Sequence, residues 1–292
     1  MAVFATSLEH ASATIVRYNT VLGTYDIRLF DALMPNTVAN FLSYVNTSRY
    51  DGTFVHRSVP GFVIQGGGFT FDETTDTAPV GIPLDPAIDD EPGGGVPGPS
   101  NVRGTIAMAK SGPNTVTSQW FINLGNNAFL DDPNRSDGGF SAFGRILGNG
   151  MDVVDAIAAL PTFNLGGPFN TLPAINFSGG VIKQENLVVT NSAVELNLPD
   201  GDYNFDGTVD GADLAVWQSD FGSTTQAEAD GNGDGIVDGV DFLLWQQNFG
   251  TTASTLPAAQ GIPEPSTFVL LSLAALAAAA KKMSGTFLRN FN

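Results

Sequence analysis

The chain has 292 residues, which suggests about two domains. It has no cysteine, which excludes disulfides, thiol catalysis and Cys-ligated zinc, and its two histidines, His10 and His56, lack any supporting pattern for a Ser-His-Asp triad. A formal net charge of −18 argues against nucleic acid and anionic membrane as partners, since both recruit cationic patches.

Residues 1–12 make a ragged start, and Met1-Ala-Val-Phe-Ala-Thr lacks the basic and apolar regions of a signal peptide. Thr14–Tyr18 and Gly23–Phe30 are predicted strands joined by a turn around Asn19 to Gly23. Pro35 opens a helix, a position that tolerates proline, and Val38, Phe41, Leu42 and Val45 recur on one buried face. From Phe54 the chain reads as a strand, turns at Pro60-Gly61 and resumes as Phe62-Val63-Ile64-Gln65. Arg57 is the one cation there, and Phe62 and Gln65 can share its face after the turn. A guanidinium, a phenyl ring and an amide on one surface suit an uncharged, polarisable group such as a peptide bond. The competing reading is a surface arginine with a rim salt bridge.

Residues 70–100 are rich in Gly, Pro and Asp and read as a long loop. Its glycine runs lack the strand-to-helix setting and the lysine of a phosphate cradle. Arg103–Ala109, Gln119–Asn123 and Phe140–Ile146 are predicted strands, with a loop at Asp131–Gly139. Met151–Leu160 is a second amphipathic helix, burying Met151, Val154, Ile157 and Ala158 and ended by Pro161. A final strand is expected at Asn186–Thr190. Some eight strands and two helices predict a mainly β fold, a closed antiparallel barrel capped by the helices.

Two runs carry a family resemblance: H-R-x-x-P-G-F-x-x-Q-G-G from His56 to Gly67, and G-P-N-T-x-x-S-Q-x-F-I from Gly112 to Ile122. Together they resemble the cyclophilin family of peptidyl-prolyl isomerases, whose fold is such a barrel, over roughly residues 13–195. The resemblance implies isomerisation of X-Pro bonds in proline-containing polypeptides. By resemblance, Arg57 is catalytic, and Phe62, Val63, Phe121 and Leu130 line the proline pocket. Gln65 holds a substrate carbonyl, Gln119 orients Arg57 or the peptide, and Ala109 and Lys110 bind the peptide backbone. Four positions depart from many family members, which have Met at Val63, Asn at Lys110, Trp at Phe129 and His at Phe140. Phe129 and Phe140 would keep the pocket apolar. Activity is expected to survive, with altered peptide preference and weaker binding of the inhibitor cyclosporin. Rotation makes and breaks no bond, so catalysis is expected to need no cofactor.

Between Asp200 and Asp241 lie ten Asp, one Glu and no Lys or Arg. Within this window Asp202–Asp213 and Asp230–Asp241 repeat one twelve-residue pattern at an interval of 28 residues. Oxygen side chains fall at positions 1, 3, 5, 9 and 12: Asp202, Asn204, Asp206, Asp210 and Asp213, then Asp230, Asn232, Asp234, Asp238 and Asp241. Gly207 and Gly235 occupy position 6, while Thr208 and Ile236 at position 7 would offer backbone carbonyls. This is EF-hand calcium-loop spacing, with Asp in place of Glu at position 12, and two Ca2+ ions are expected. Val209 and Val237 should pack inward, and each loop leads into a short helix ended by Phe-Gly. An acidic solvated linker would not repeat its glycines, valines and tryptophans in register, and its packed like charges would repel without a cation. Such paired loop–helix repeats resemble type I dockerin modules, which implies a cohesin-like or cell-surface partner.

After a linker at 251–262, Pro263-Glu264-Pro265 precedes a thirteen-residue, largely apolar run, Phe268–Ala280, and then Lys281-Lys282. The run is short for a spanning helix, which needs about 20 residues. The arrangement resembles a PEP-CTERM sorting tail, with transient membrane contact through an apolar helix. The expected organisation is an isomerase domain at 13–195, a dockerin-like module at 200–250 and a tail at 263–292. Export to the cell envelope or outside is expected, with residues missing upstream of Met1. The rival readings are a proline-peptide binder without turnover and a calcium-dependent surface-assembly component.

Overall fold

In the computed structural model, which describes residues 14–71, 79–92, 98–224, 228–233 and 235–253, the chain opens with a hairpin. Its strands are β1 (Ile15–Thr20) and β2 (Gly23–Leu29), with Tyr18 opposite Tyr25. Strand residues alternate between faces, so Tyr25, Ile27 and Leu29 enter the core while Asp26 and Arg28 face outward. Helix α1 (Pro35–Asn46) buries Val38, Phe41 and Val45 as its spacing predicts, leaves Leu42 only partly covered, and adds Tyr44.

Two short strands follow, β3 (Arg57–Val59) and β4 (Val63–Gly66), joined by the Pro60-Gly61 turn. The stretch predicted as loop contains a small ladder, β5 (Phe69–Thr70) with β6 (Val80–Gly81). Then come β7 (Thr105–Met108), β8 (Trp120–Asn123) and β9 (Ala142–Ile146). Helix α2 (Gly150–Ala158) buries Gly150, Val154 and Ile157, whereas Met151 and Ala158 are only partly covered. A second small ladder pairs β10 (Thr162–Phe163) with β11 (Leu172–Pro173), and β12 (Thr190–Leu196) ends this part of the chain.

Eight strands form one antiparallel sheet in the order β12-β1-β2-β9-β7-β8-β4-β3. The predicted closed barrel needs correction, because β12 and β3 share no ladder. β3 is three residues long, and the Ser58 N–H donates instead to the Thr171 carbonyl at 2.8 Å. The curled sheet is a half-barrel. Its seam is bridged by single main-chain bonds, Val55 N–H to the Val188 carbonyl at 3.0 Å and Thr190 N–H to the Thr53 carbonyl at 2.7 Å. The predicted final strand at Asn186–Thr190 is also displaced. Residues 187–190 make isolated contacts at the seam, and the polar Thr190–Leu196 stretch carries the ladder with β1. The core is strongly aromatic: Tyr18 stacks on Tyr25 at 5.4 Å and meets Trp120 edge-on at 5.6 Å, while Phe41 meets Phe143 at 5.0 Å. Such pairs add about 0.5–1.5 kcal/mol each beyond area burial.

The acidic repeats form a small helical module with α3 (Gly211–Asp220) and α4 (Gly239–Asn248). Each helix begins with a capping box. Asp210 accepts from Ala212 N–H and Asp238 from Val240 N–H, both at 2.7 Å, while Asp213 and Asp241 accept from the cap residues' own amides. The repeats clasp each other symmetrically: the Trp217 indole donates to the Asp238 carbonyl at 2.9 Å and the Trp245 indole to the Asp210 carbonyl at 2.7 Å. Val209 and Val237 are fully buried, as the pattern predicts. No helix among the described residues is long and apolar enough to cross a membrane. The predicted apolar tail helix lies outside the described residues.

Candidate active site

The β3–β4 hairpin sets Arg57 directly opposite Gln65, and the β4–β8 ladder sets Gln65 opposite Phe121. One row of side chains therefore crosses three strands. The Arg57 guanidinium donates to Gln65 Oε1 at 3.3 Å, and Gln65 Nε2 donates to Gln119 Oε1 at 2.9 Å. Gln119 thus reaches the arginine through Gln65. The guanidinium carbon is 6.0 Å from the Phe62 ring, within cation–π range. Partial burial pulls the Arg57 pKa down, yet arginine starts so high that it stays charged at neutral pH.

Beside this row lies an apolar patch separate from the main core. Val63, Ala107, Phe121 and Leu130 are buried in it, and Phe62, Ala109 and Phe140 pack against it partly exposed. Phe121 and Phe140 meet edge to face at 5.6 Å. Phe129 stacks on Phe62 at 5.9 Å but is 58% exposed, so it forms a rim rather than a wall. The Ala109 N–H is taken by the Gln119 carbonyl at 2.7 Å, which leaves its carbonyl side for a peptide. The Lys110 side chain is only 3% exposed. Its ammonium is paired with Asp90 at 2.6 Å and lies 5.4 Å from the Phe140 ring, so its charge is committed inside the protein.

Several supporting residues escape sequence reasoning. Asp90 is one, lying 20 residues from Lys110 in a Gly/Pro-rich stretch without periodicity. Asn127 is another: its amide donates to the Phe62 carbonyl at 2.9 Å and to Asn123 Oδ1 at 2.8 Å, and Leu124 N–H donates to the same Phe62 carbonyl. Two donors on one carbonyl fix the backbone that carries Phe62. His56 is buried edge-on against Phe69 at 5.0 Å. Burial, and then the neighbouring Arg57 charge, push its pKa down to about 4, so it is neutral at pH 7. The adjacency of His56 and Arg57 is the one sequence signal that could have flagged it.

In the acidic module, Asp202, Asp213, Asp230 and Asp241 are all buried carboxylates. The Asp202 pKa is pushed up to about 6 by burial and by Asp213 and Asp206 nearby, which is the stress a bound cation relieves. Among the described residues, acidic side chains alone do not converge into a ready-made cluster of three. The loop spacing also calls on Asn204, Asn232 and the carbonyls of Thr208 and Ile236, and Asp234 lies outside the described residues. Gly207 and Gly235 adopt φ of +91° and +88°, the sharp turn required at position 6. The donor set and the turns fit calcium.

Comparison with known proteins gives two family matches. A model described as cyclophilin type peptidyl-prolyl cis-trans isomerase/CLD matches residues 15–175, and one for the dockerin type I domain matches residues 200–249. The chain is similar to a peptidyl-prolyl cis-trans isomerase of Acinetobacter baylyi, 43% identical over 161 residues that cover 54% of this chain and 79% of the relative. It is also similar to peptidyl-prolyl cis-trans isomerase A of Dickeya dadantii, 37% identical over 60% of this chain and 86% of the relative. Peptidyl-prolyl cis-trans isomerase B of Escherichia coli is 37% identical over 51% of this chain and 86% of its own length.

Proposed function

The chain belongs to the cyclophilin-type peptidyl-prolyl cis-trans isomerases and carries a type I dockerin domain, and from that premise we propose that Arg57 is the catalytic residue. Rotation about an X-Pro bond must break amide resonance, against a barrier of roughly 18–20 kcal/mol. At the twisted state the proline nitrogen becomes pyramidal and gains a lone pair that can accept a hydrogen bond. Only interactions stronger in that state than in either planar form accelerate the step. Arg57 donates to that nitrogen, and its half-buried setting beside Phe62 strengthens the bond. Gln65 holds the guanidinium and is itself held by Gln119, and this pair takes a peptide carbonyl. Phe62, Val63, Phe121, Leu130 and Phe140 receive the proline ring, with Phe129 at the rim. Ala109 binds the peptide main chain, and Lys110 shapes that edge through its pair with Asp90.

The observation that carries this reading is the Arg57 guanidinium, held by Gln65, at the edge of a patch of Val63, Phe121 and Leu130 that is separate from the main core. A protein that only binds proline peptides has no use for that donor. Prolyl isomerisation of a short X-Pro peptide tests it, with Phe121→Ala expected to weaken peptide binding.

The dockerin match supports tethering to a cohesin partner through a calcium-loaded module, and hence an exported protein acting on exported or surface proteins. Calcium would be held by Asp202, Asn204, Asp206, the Thr208 carbonyl, Asp210 and Asp213 in the first loop. In the second it would be held by Asp230, Asn232, Asp234, the Ile236 carbonyl, Asp238 and Asp241. When bound, the ion neutralises the packed carboxylates. The Pro263-Glu264-Pro265 segment and the apolar run after it support a sorting tail. Capture on an immobilised cohesin domain, lost with chelator, tests the tether.

A further inference from the structure

Arg28 stands at an outward position of β2, between the inward residues Ile27 and Leu29, yet it is only 4% exposed. What covers it is the acidic module. Its guanidinium donates to the Asp230 carbonyl at 2.9 Å and to the Glu228 carbonyl at 2.7 Å, and lies 5.7 Å from the Phe205 ring. Phe205 belongs to the first acidic loop, and Asp230 is the first residue of the second. One barrel side chain therefore touches both loops.

The neighbouring strand adds a second cation. Arg145 on β9 is the cross-strand partner of Arg28, a like-charge juxtaposition that costs stability unless something answers it. Glu228 answers it. Its carbonyl accepts from Arg28, while its carboxylate pairs with Arg145 at 3.4 Å and accepts from Gly148 N–H at 3.3 Å. Beside this contact lies a groove of about 1150 Å3, lined in part by Leu33, Arg103, Arg145, Glu228 and Ile236.

We propose that Arg28 is a calcium-dependent anchor that locks the dockerin module onto the isomerase barrel. Two of its acceptors are main-chain carbonyls: that of Asp230 opens the second loop, and that of Glu228 lies two residues before it, so both positions depend on how that loop is folded. The Asp230 carbonyl and carboxylate belong to one residue, so holding the carboxylate on a cation fixes the carbonyl that faces Arg28. Metal-binding free energy becomes folding free energy in such loops, and here it becomes docking free energy as well. With calcium the barrel and module are one rigid body; without it the loops loosen, Arg28 loses the Asp230 and Glu228 carbonyls and the module swings free. The inference rests on the reading that the acidic loops take calcium.

The chain has no cysteine, so a spin-label pair can be introduced cleanly at two exposed positions, Val181→Cys on the barrel and Ser219→Cys on α3. Pulsed electron resonance on the full chain should give one narrow distance population in calcium and a broad one in chelator. Adding Arg28→Ala should give the broad population even in calcium, with prolyl isomerase turnover retained as proof of a folded barrel. Calorimetric titration of the same proteins with calcium separates the two claims. Calcium uptake with a narrow distance that survives chelator or Arg28→Ala would overturn the anchor and leave the calcium reading standing. No calcium uptake would overturn both.

Discussion

Arg57 and Gln65 face each other across the β3–β4 ladder, and the guanidinium donates to the Gln65 side-chain oxygen at 3.3 Å. That bond turns a long, flexible cation into a positioned donor. Gln65→Ala should leave Arg57 charged but loose. A bond to a charged group contributes about 1.5–3 kcal/mol, so kcat/KM for an X-Pro peptide should fall roughly tenfold or more. Gln119→Ala, one bond further from the arginine, should cost less. Steady-state isomerisation rates for the two variants check the order.

The part-buried Lys110–Asp90 pair makes a prediction about stability. Removing Asp90 leaves the largely covered Lys110 ammonium without its hydrogen-bonded partner, which costs about 1–3 kcal/mol, whereas replacing both with apolar groups is often neutral. Asp90→Ala should lower the denaturant midpoint clearly, and Lys110→Met with Asp90→Leu should recover much of the loss. Equal midpoints for Asp90→Ala and the parent would remove the pair from any role in the fold.

How much of this was legible in the sequence depends on how local each contact is. The two short strand-like runs either side of the Pro60-Gly61 turn put Arg57, Phe62 and Gln65 together without any long-range information. The register of the acidic repeats exposed their glycines and valines in the same way. Lys110 gave no sign of Asp90, because that partner sits in an irregular stretch 20 residues earlier. The half-barrel's open seam depends on β3 bonding to Thr171, and the burial of Arg28 on Asp230, 202 residues away; no periodicity encodes either contact.

His56 predicts a pH dependence of stability. Its folded pKa of about 4 lies below the ordinary value of 6.5, so the unfolded chain binds the proton first as pH falls. The stability that a neutral His56 represents is fully present above about pH 6.5 and is lost progressively down to about pH 4. The loss from this residue is on the order of 3 kcal/mol. A His56→Gln variant should show a flatter fall over the same window in urea-unfolding free energies. Parallel curves for the two proteins would contradict the assignment.

The left-handed turns at Gly207 and Gly235 predict weaker calcium loading on substitution. A side chain at φ near +90° costs about 1–2 kcal/mol, so Gly207→Ala and Gly235→Ala should each weaken one site roughly tenfold. Calcium titration followed by the fluorescence of Trp217 and Trp245, which clasp the two repeats, reads this directly.

The central claim is that the Arg57 guanidinium stabilises the twisted amide. Its most direct test is the rate of cis–trans exchange of a short X-Pro peptide with the full chain and with Arg57→Ala. Removing one preorganised donor to a transition state typically costs about 10²–10³ in rate, and a loss of that order in a folded variant is the expected result. A folded Arg57→Ala protein that accelerates exchange as well as the parent would contradict the account.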